Sequence, residues 1–371
     1  MNRRQGVAVY IDPPSHHFLR DRLFDPGTNP LAGENILAPY LALRDLLARE
    51  GIPARTVDFL PVRPDGRRNV YVSVGRVGDY RALASRRDVV LSAFLAMECP
   101  VVEPSVFRAL PRIACQVRRV LCFAGRDALK PFTRRPVAVE RLVWPQCADG
   151  VHDHAWRRSD RRFLCMINGN KLPRIDYREL YTARLRAVEY FSRYGELDLY
   201  GREWDRAPWR VGRTRVPYTL RRGWRWFWER RQRVRPDPLY AAAARAWRGT
   251  VASKSATLGG YTFAICFENM ELEGWITEKI FDCFYAGCVP VYWGAPDVTD
   301  FVPREAFIDM RAFADFDGLR QFLHGLSPAE VQSYRNAARG FVESGAYAPF
   351  RPAAFAERVA QIVRADADVG I

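Results

Sequence analysis

The stretch from Tyr261 to Gly294, YTFAICFENMELEGWITEKIFDCFYAGCVPVYWG, decides the fold. Tyr261–Phe267 is a short apolar run rich in aromatic and branched residues, which predicts a buried strand. Trp275–Ala286 places apolar residues at helical spacing and is closed by Gly287, so a helix is expected there. Val289–Trp293 is a second apolar run, closed by Gly294. Strand, loop, helix and strand in that order make one unit of an α/β sheet.

The same alternation extends in both directions. Upstream, Arg162–Ile167 reads as a strand ending at Asn168-Gly169-Asn170, Tyr177–Tyr194 as a helix, and Leu197–Tyr200 as a strand closed by Gly201. Downstream, Phe307–Met310 reads as a strand, and helices are expected near 316–323, 328–344 and 353–365. In the first half the expected strands are Val7–Ile11, Thr56–Leu60, Asn69–Val74, Val89–Ala93 and Val120–Phe123, with a helix over Ile36–Arg49. The pattern predicts two doubly wound, Rossmann-like domains facing a cleft. Residues 1–130 form the first and 161–350 the second. Residues 131–160 serve as a largely polar linker, and 351–371 as a C-terminal helix and tail.

The chain has 371 residues, 48% of them hydrophobic and 13% aromatic, enough for two cores and incompatible with wholesale disorder. No apolar run reaches the length of a membrane-spanning helix. The apolar run Val7–Ile11 is too short for a secretion signal. The eight cysteines contain no C-x-x-C pair, and several lie inside apolar runs, so buried reduced thiols in a cytoplasmic protein are expected. The five histidines show neither H-E-x-x-H nor zinc spacing, and no metal is expected. Asp366-Ala367-Asp368, the one D-x-D, has no strand before it and reads as a solvated tail.

The net charge of +15 is concentrated. Residues 206–235 hold eleven arginines and one acid, Glu229, together with Trp209, Tyr218, Trp224, Trp226, Phe227 and Trp228. Such an insertion can pack on its own rings, lie against an anionic membrane, or bind nucleic acid. No nucleic-acid-binding motif supports the last use.

Ligands of open α/β sheets bind beyond the carboxyl ends of the strands, which directs attention to two loops. Asn168–Arg174 carries Lys171 and Arg174 ahead of a helix. Phe267-Glu268-Asn269 leads through a short loop to Trp275-Ile276-Thr277-Glu278-Lys279 at a helix start. The free N–H groups and dipole of a first helical turn favour an anion. Lys279 adds a compact positive charge in a chain with only four lysines, and Glu278 offers oxygens to sugar hydroxyls. Together these groups suit a nucleotide diphosphate. The Gly-rich dinucleotide and Walker motifs are absent.

The stretch 261–294 closely resembles the donor-binding signature of the family 10 glycosyltransferases, the α-1,3/4-fucosyltransferases, through F-E-N, I-T-E-K and A-G-x-V-P-V-x-x-G. MINGNKLPRIDYRELYTARLRAVEYF and LDLYGREW are also similar to the family, so the resemblance covers roughly 160–345. The first half matches more weakly, through Phe94–Pro100 and Glu103-Pro104. The resemblance implies a GT-B fold with GDP-fucose on the second domain, the acceptor on the first, and inverting transfer without a metal or other cofactor. It implies donor contacts by Asn269, Glu278 and Lys279, and a diphosphate-binding arginine. Arg184 is the best match for that arginine, with Arg174 and Lys171 as rivals. Trp275 stands where several members have Tyr. Glu98 resembles the family's proposed catalytic base, with Glu103 as its rival.

The expected reaction moves L-fucose from GDP-fucose to a glycan or glycolipid hydroxyl, through an α-1,3 or α-1,4 linkage, in building a bacterial surface polysaccharide or lipopolysaccharide. The expected location is cytoplasmic, with the 206–235 insertion touching the cytosolic face of the inner membrane. Two other readings stay open: a GT-B transferase using another nucleotide sugar, and a non-enzymatic protein binding anions or nucleic acid.

Overall fold

The structure, a computed structural model, describes residues 6–27, 36–148, 150–174, 176–212, 218–235 and 237–368. Residues fall into two compact units. The first comprises Met1–Pro100, Pro104–Asp149 and Tyr347–Ile371, and the second Val101–Glu103 and Gly150–Ala346.

The first unit is built on a six-stranded parallel sheet: β1 (Val7–Asp12), β2 (Ala54–Thr56), β3 (Arg68–Val74), β4 (Val89–Ala96), β5 (Arg119–Cys122) and β6 (Glu140–Arg141). Their order is β2-β1-β3-β4-β5-β6. Every residue of β1 and β4 is buried, as expected of strands covered on both faces. Alternate residues choose the face. Val7, Val9 and Ile11, Val70, Val72 and Val74, and Ala93 and Leu95 share one core with Leu43 and Leu47 of α1 (Ala38–Arg49). Helix α2 (Pro104–Ala114) buries Phe107, Leu110 and Ile113 elsewhere.

The C-terminal helix Pro352–Asp368 returns to this first core. It is no separate tail, because Phe355, Val359, Ile362 and Val363 need cover and find it against α1. Asp366, expected to be solvated, is buried. It accepts from Ser92 at 2.6 Å and pairs with Arg119 and with Arg118. The expected linker also differs, since Glu140–Arg141 pairs with β5.

The second unit has strands β7 (Arg162–Ile167), β8 (Lys171–Pro173), β9 (Leu197–Tyr200), β10 (Trp209–Val211), β11 (Tyr261–Ile265), β12 (Val289–Tyr292) and β13 (Ile308–Asp309). Five of them form a parallel sheet in the order β13-β12-β11-β7-β9, while β8 and β10 make a separate two-stranded ribbon. One face packs on α3 (Tyr181–Ser192) through Leu185, Val188 and Phe191. The following helices are α4 (Tyr218–Val234), α5 (Pro238–Ala246), α6 (Glu278–Ala286), α7 (Phe316–Gly325) and α8 (Pro328–Glu343).

Boundaries moved where side chains compete with the backbone. Thr56–Leu60 is strand only to Thr56. Its continuation is a 3₁₀ turn in which the Asp58 carboxylate takes the Thr56 hydroxyl at 2.6 Å. Helix α3 begins at Tyr181 rather than Tyr177, because the Glu179 carboxylate accepts the Thr182 N–H at 3.0 Å. Helix α6 begins at Glu278, since the preceding Thr277 is extended. Phe307–Met310 is strand only at Ile308–Asp309.

Candidate functional site

In the second sheet the chain runs from β7 to β9 on one side, then crosses back to β11 on the other. The carboxyl ends of β7 and β11 therefore flank the topological switch point, where open α/β sheets bind ligands.

Arg184, in the first turn of α3, is buried at this point. Its Nε and Nη2 donate to the Phe267 carbonyl at 3.1 and 2.6 Å. Nη2 also donates to Asn269 Oδ1 at 3.1 Å, and Nη1 to Asn168 Oδ1 at 3.2 Å. One guanidinium thus ties together the ends of β7 and β11. These three oxygens are uncharged. The β7 end is fixed in turn by the Trp204 indole, which donates to the Asn168 carbonyl at 2.7 Å. Asn170 is buried, and its amide donates to the carbonyls of Glu203 and Arg206. Gly201, at φ +135°, lies so close that a Cβ there would fall on the Asn168 carbonyl.

Lys279 is the second residue of α6. Its Nζ lies 3.1 Å from Glu268, 3.3 Å from Glu278 and 2.9 Å from the Thr277 hydroxyl. Glu268 is wholly buried and accepts the Thr277 N–H at 2.7 Å and its hydroxyl at 2.8 Å. Burial works against the Lys279 ammonium, but the carboxylates of Glu268 and Glu278 outweigh it and hold its pKa above the ordinary range. The Arg184 charge pulls the other way, so the two cations feel each other. Burial raises the Glu268 carboxyl despite the lysine beside it. Burial also pushes Glu278 upward, yet Lys279 and Lys254 prevail and bring it down to about 2.

Between these groups, the loop before α6 is braced on β12 and the turn after it. Gly274 N–H donates to Asp297 at 2.8 Å, the Tyr292 hydroxyl donates to the Trp275 carbonyl, and the Trp293 indole donates to Glu271. Arg184 and Asn269 on one hand, and Lys279 with Glu278 on the other, are thus both attached to the segment 267–269 that follows β11. Trp275, which the sequence also offers as a donor contact, lies buried in the bracing loop. Lys171 opens β8 of the two-stranded ribbon, Arg174 directly follows that strand, and both are exposed.

On the first unit, Glu98 stands two residues beyond β4, half-buried, with Oε1 accepting the Cys99 N–H at 2.9 Å. Glu103, which directly precedes α2 but falls in the second unit, is also half-buried. The switch point of this sheet, between β1 and β3, holds a group the sequence reading missed. Asp12 ends β1, accepts the Tyr71 hydroxyl at 2.5 Å and pairs with Arg76 at 3.3 Å. Burial is the larger influence and raises its pKa, against the pull of Tyr71 and Arg76. Glu268 was missed too. A glutamate directly following an apolar strand run was the available signal, because such a group is buried only with a partner. Among the described residues, no three His, Cys, Asp or Glu side chains gather as a metal centre would require.

Residues 238–337 match the family described as glycosyltransferase family 10 (fucosyltransferase) C-term. The α-(1,3)-fucosyltransferase FucT of Helicobacter pylori is 41% identical over 68 residues, which are 18% of this chain and 14% of that protein. The α-(1,4)-fucosyltransferase of Arabidopsis thaliana is 38% identical over 71 residues, 19% of this chain and 18% of that protein. The matched segment is thus less than a fifth of either relative. The likeness in fold extends further. The structure of Anabaena Alr3699/HepE in complex with UDP and glucose superposes with a TM-score of 0.51, covering 97% of this chain and 99% of that one at 11% identity. Both units are parallel α/β sheets flanked by helices, the GT-B type.

Proposed function

We propose that this chain, which carries the C-terminal region of glycosyltransferase family 10 over residues 238–337, is an inverting fucosyltransferase that uses GDP-fucose. The observation that carries this reading is that Arg184 and Lys279 contact adjacent residues past β11, Phe267 and Glu268, beside the β7–β11 switch point. Two oriented cations and the first turn of α6 suit a diphosphate whose charge grows as it leaves.

In the proposed step, an acceptor hydroxyl oxygen attacks the anomeric carbon of fucose. The bond from that carbon to the diphosphate breaks, and the hydroxyl proton passes to Glu98. Attack opposite the leaving group inverts the anomeric centre. Arg184 and Lys279 stabilise the departing GDP, and Asn269 and Glu278 hold its ribose. Cations in fixed positions give this stabilisation without reorganisation at the moment of bond breaking, so no metal is needed in this reading. The acceptor is a glycan or glycolipid hydroxyl held on the first unit, with linkage at an α-1,3 or α-1,4 position and use in a bacterial surface glycan.

Calorimetric titration with GDP, GDP-fucose, GDP-mannose and UDP, with EDTA present, tests the donor. Selective binding of GDP and GDP-fucose is expected. A second reading keeps the fold and changes the nucleotide, as the likeness to a protein solved with UDP and glucose allows. Preference for UDP would establish it and overturn the first.

A further inference from the structure

Helix α4 carries an apolar stripe that its own protein leaves uncovered. Leu220, Trp224, Phe227 and Val234 recur at spacings of four, three and seven residues and so share one face, on which Arg231 stands between Phe227 and Val234. They are 63%, 46%, 55% and 82% exposed. The Trp224 and Phe227 rings lie against each other, with centroids 6.4 Å apart. Trp226, 60% exposed, flanks the stripe with the Arg230 guanidinium over its ring at 5.5 Å. Another side of the helix is anchored: Trp228 packs edge-on against Tyr240 of α5, at 5.2 Å between centroids. Helix α5 in turn buries Ala243 and Ala246 in the core of the second unit. The stripe is therefore presented outward from a fixed mount.

The charge around it has one sign. Residues 218–235 contain seven arginines and one acid, Glu229, which Arg225 already pairs at 3.2 Å. Arg222, Arg230, Arg231 and Arg235 are exposed. Residues 213–217, the preceding part of the insertion, lie outside the described residues.

We infer that α4 is an interfacial helix that seats the Leu220–Trp224–Phe227–Val234 face in the headgroup region of an anionic phospholipid surface, with its arginines on the lipid phosphates. Aliphatic ends on an aromatic stripe suit acyl chains, whereas Leu220 and Val234 offer nothing to stack a base. Arginine stems can lie along the apolar face while their heads reach the phosphates. Helix α4, with 17 residues and many arginines, is too short and too charged to cross a membrane, so its own contact is at the surface. It deepens the reading of a glycolipid acceptor, because it would hold the chain at the surface that displays one.

Vesicle co-sedimentation of the purified full chain tests this. Binding is expected to vesicles of phosphatidylcholine with 30% phosphatidylglycerol, to fall steeply in 0.5 M salt, and to be weak on phosphatidylcholine alone. Trp224→Ser with Phe227→Ser should lower partitioning at least tenfold, and Arg222→Gln with Arg230→Gln by about fivefold per charge removed. Thermal melting and GDP titration should match the parent for both variants. Absence of vesicle binding at low salt would overturn the inference, as would binding that both variants leave unchanged. Preference for a single-stranded RNA homopolymer over the anionic vesicles would overturn it in favour of nucleic acid. Vesicle binding is read without nucleotide, so a failed donor assignment and a failed membrane contact are told apart.

Discussion

Glu268 and Lys279 form an ion pair of 3.1 Å in which the carboxylate is wholly buried and the lysine mostly so. One comes from the end of β11 and the other from the start of α6, so the pair sets where that helix begins relative to the sheet. Removing one partner of such a pair leaves an uncompensated charge. Lys279→Ala should cost about 3–5 kcal/mol of stability and weaken GDP binding, read by urea unfolding and calorimetry. Adding Glu268→Gln should restore most of the stability and leave GDP binding weak. Full recovery of both would assign Lys279 a structural role alone.

Arg184 spans two strand ends with a flat fork, which an ammonium cannot copy. Arg184→Lys keeps the charge but loses the paired hydrogen bonds. Turnover is expected to fall by about 10²–10³. Equal turnover in Arg184→Lys and the parent would show that charge alone suffices.

Glu98→Ala should abolish transfer while GDP affinity stays near that of the parent, since the base is used only in the chemical step. The same change at Glu103 tests its rival. Lost GDP affinity in a folded Glu98→Ala protein would remove it from the role of base.

The Glu278 carboxyl is held at about 2, below its ordinary value of 4.5. A carboxylate lowered in the folded state contributes stability that is present above the ordinary value and lost as pH falls toward the lowered one. Melting temperature should therefore drop between pH 4.5 and 2, and Glu278→Gln should flatten that part of the curve. Glu268, whose pKa is raised, acts in the opposite sense. An unchanged curve in Glu278→Gln would show that its pairing with Lys279 adds nothing to stability.

Gly201→Ala tests how tightly the switch point is built. The added methyl would strike the Asn168 carbonyl, the backbone beside the oxygen that receives Arg184. A loss of about 1–3 kcal/mol is expected, with weaker donor binding. Unaltered stability would mean that the turn after β9 has room to move.

By itself, the sequence was enough to identify the class of fold and the segment that matters. Continuous apolar runs such as Val89–Ala96 mark strands covered on both faces, and the order of strands and helices follows from local periodicity. The F-E-N and T-E-K segments were legible because they follow a strand and open a helix. Only the tertiary structure decided which strand ends meet. Sheet order is a non-local property, and it is the crossing from β9 back to β11 that brings Asn168 and Asn269 to one guanidinium. It also decided the fate of charges that look solvated in a linear reading. Asp366 is buried against Arg118 and Arg119, and Glu268 against Lys279, because a carboxylate leaves water only where folding supplies a cation and hydrogen-bond donors.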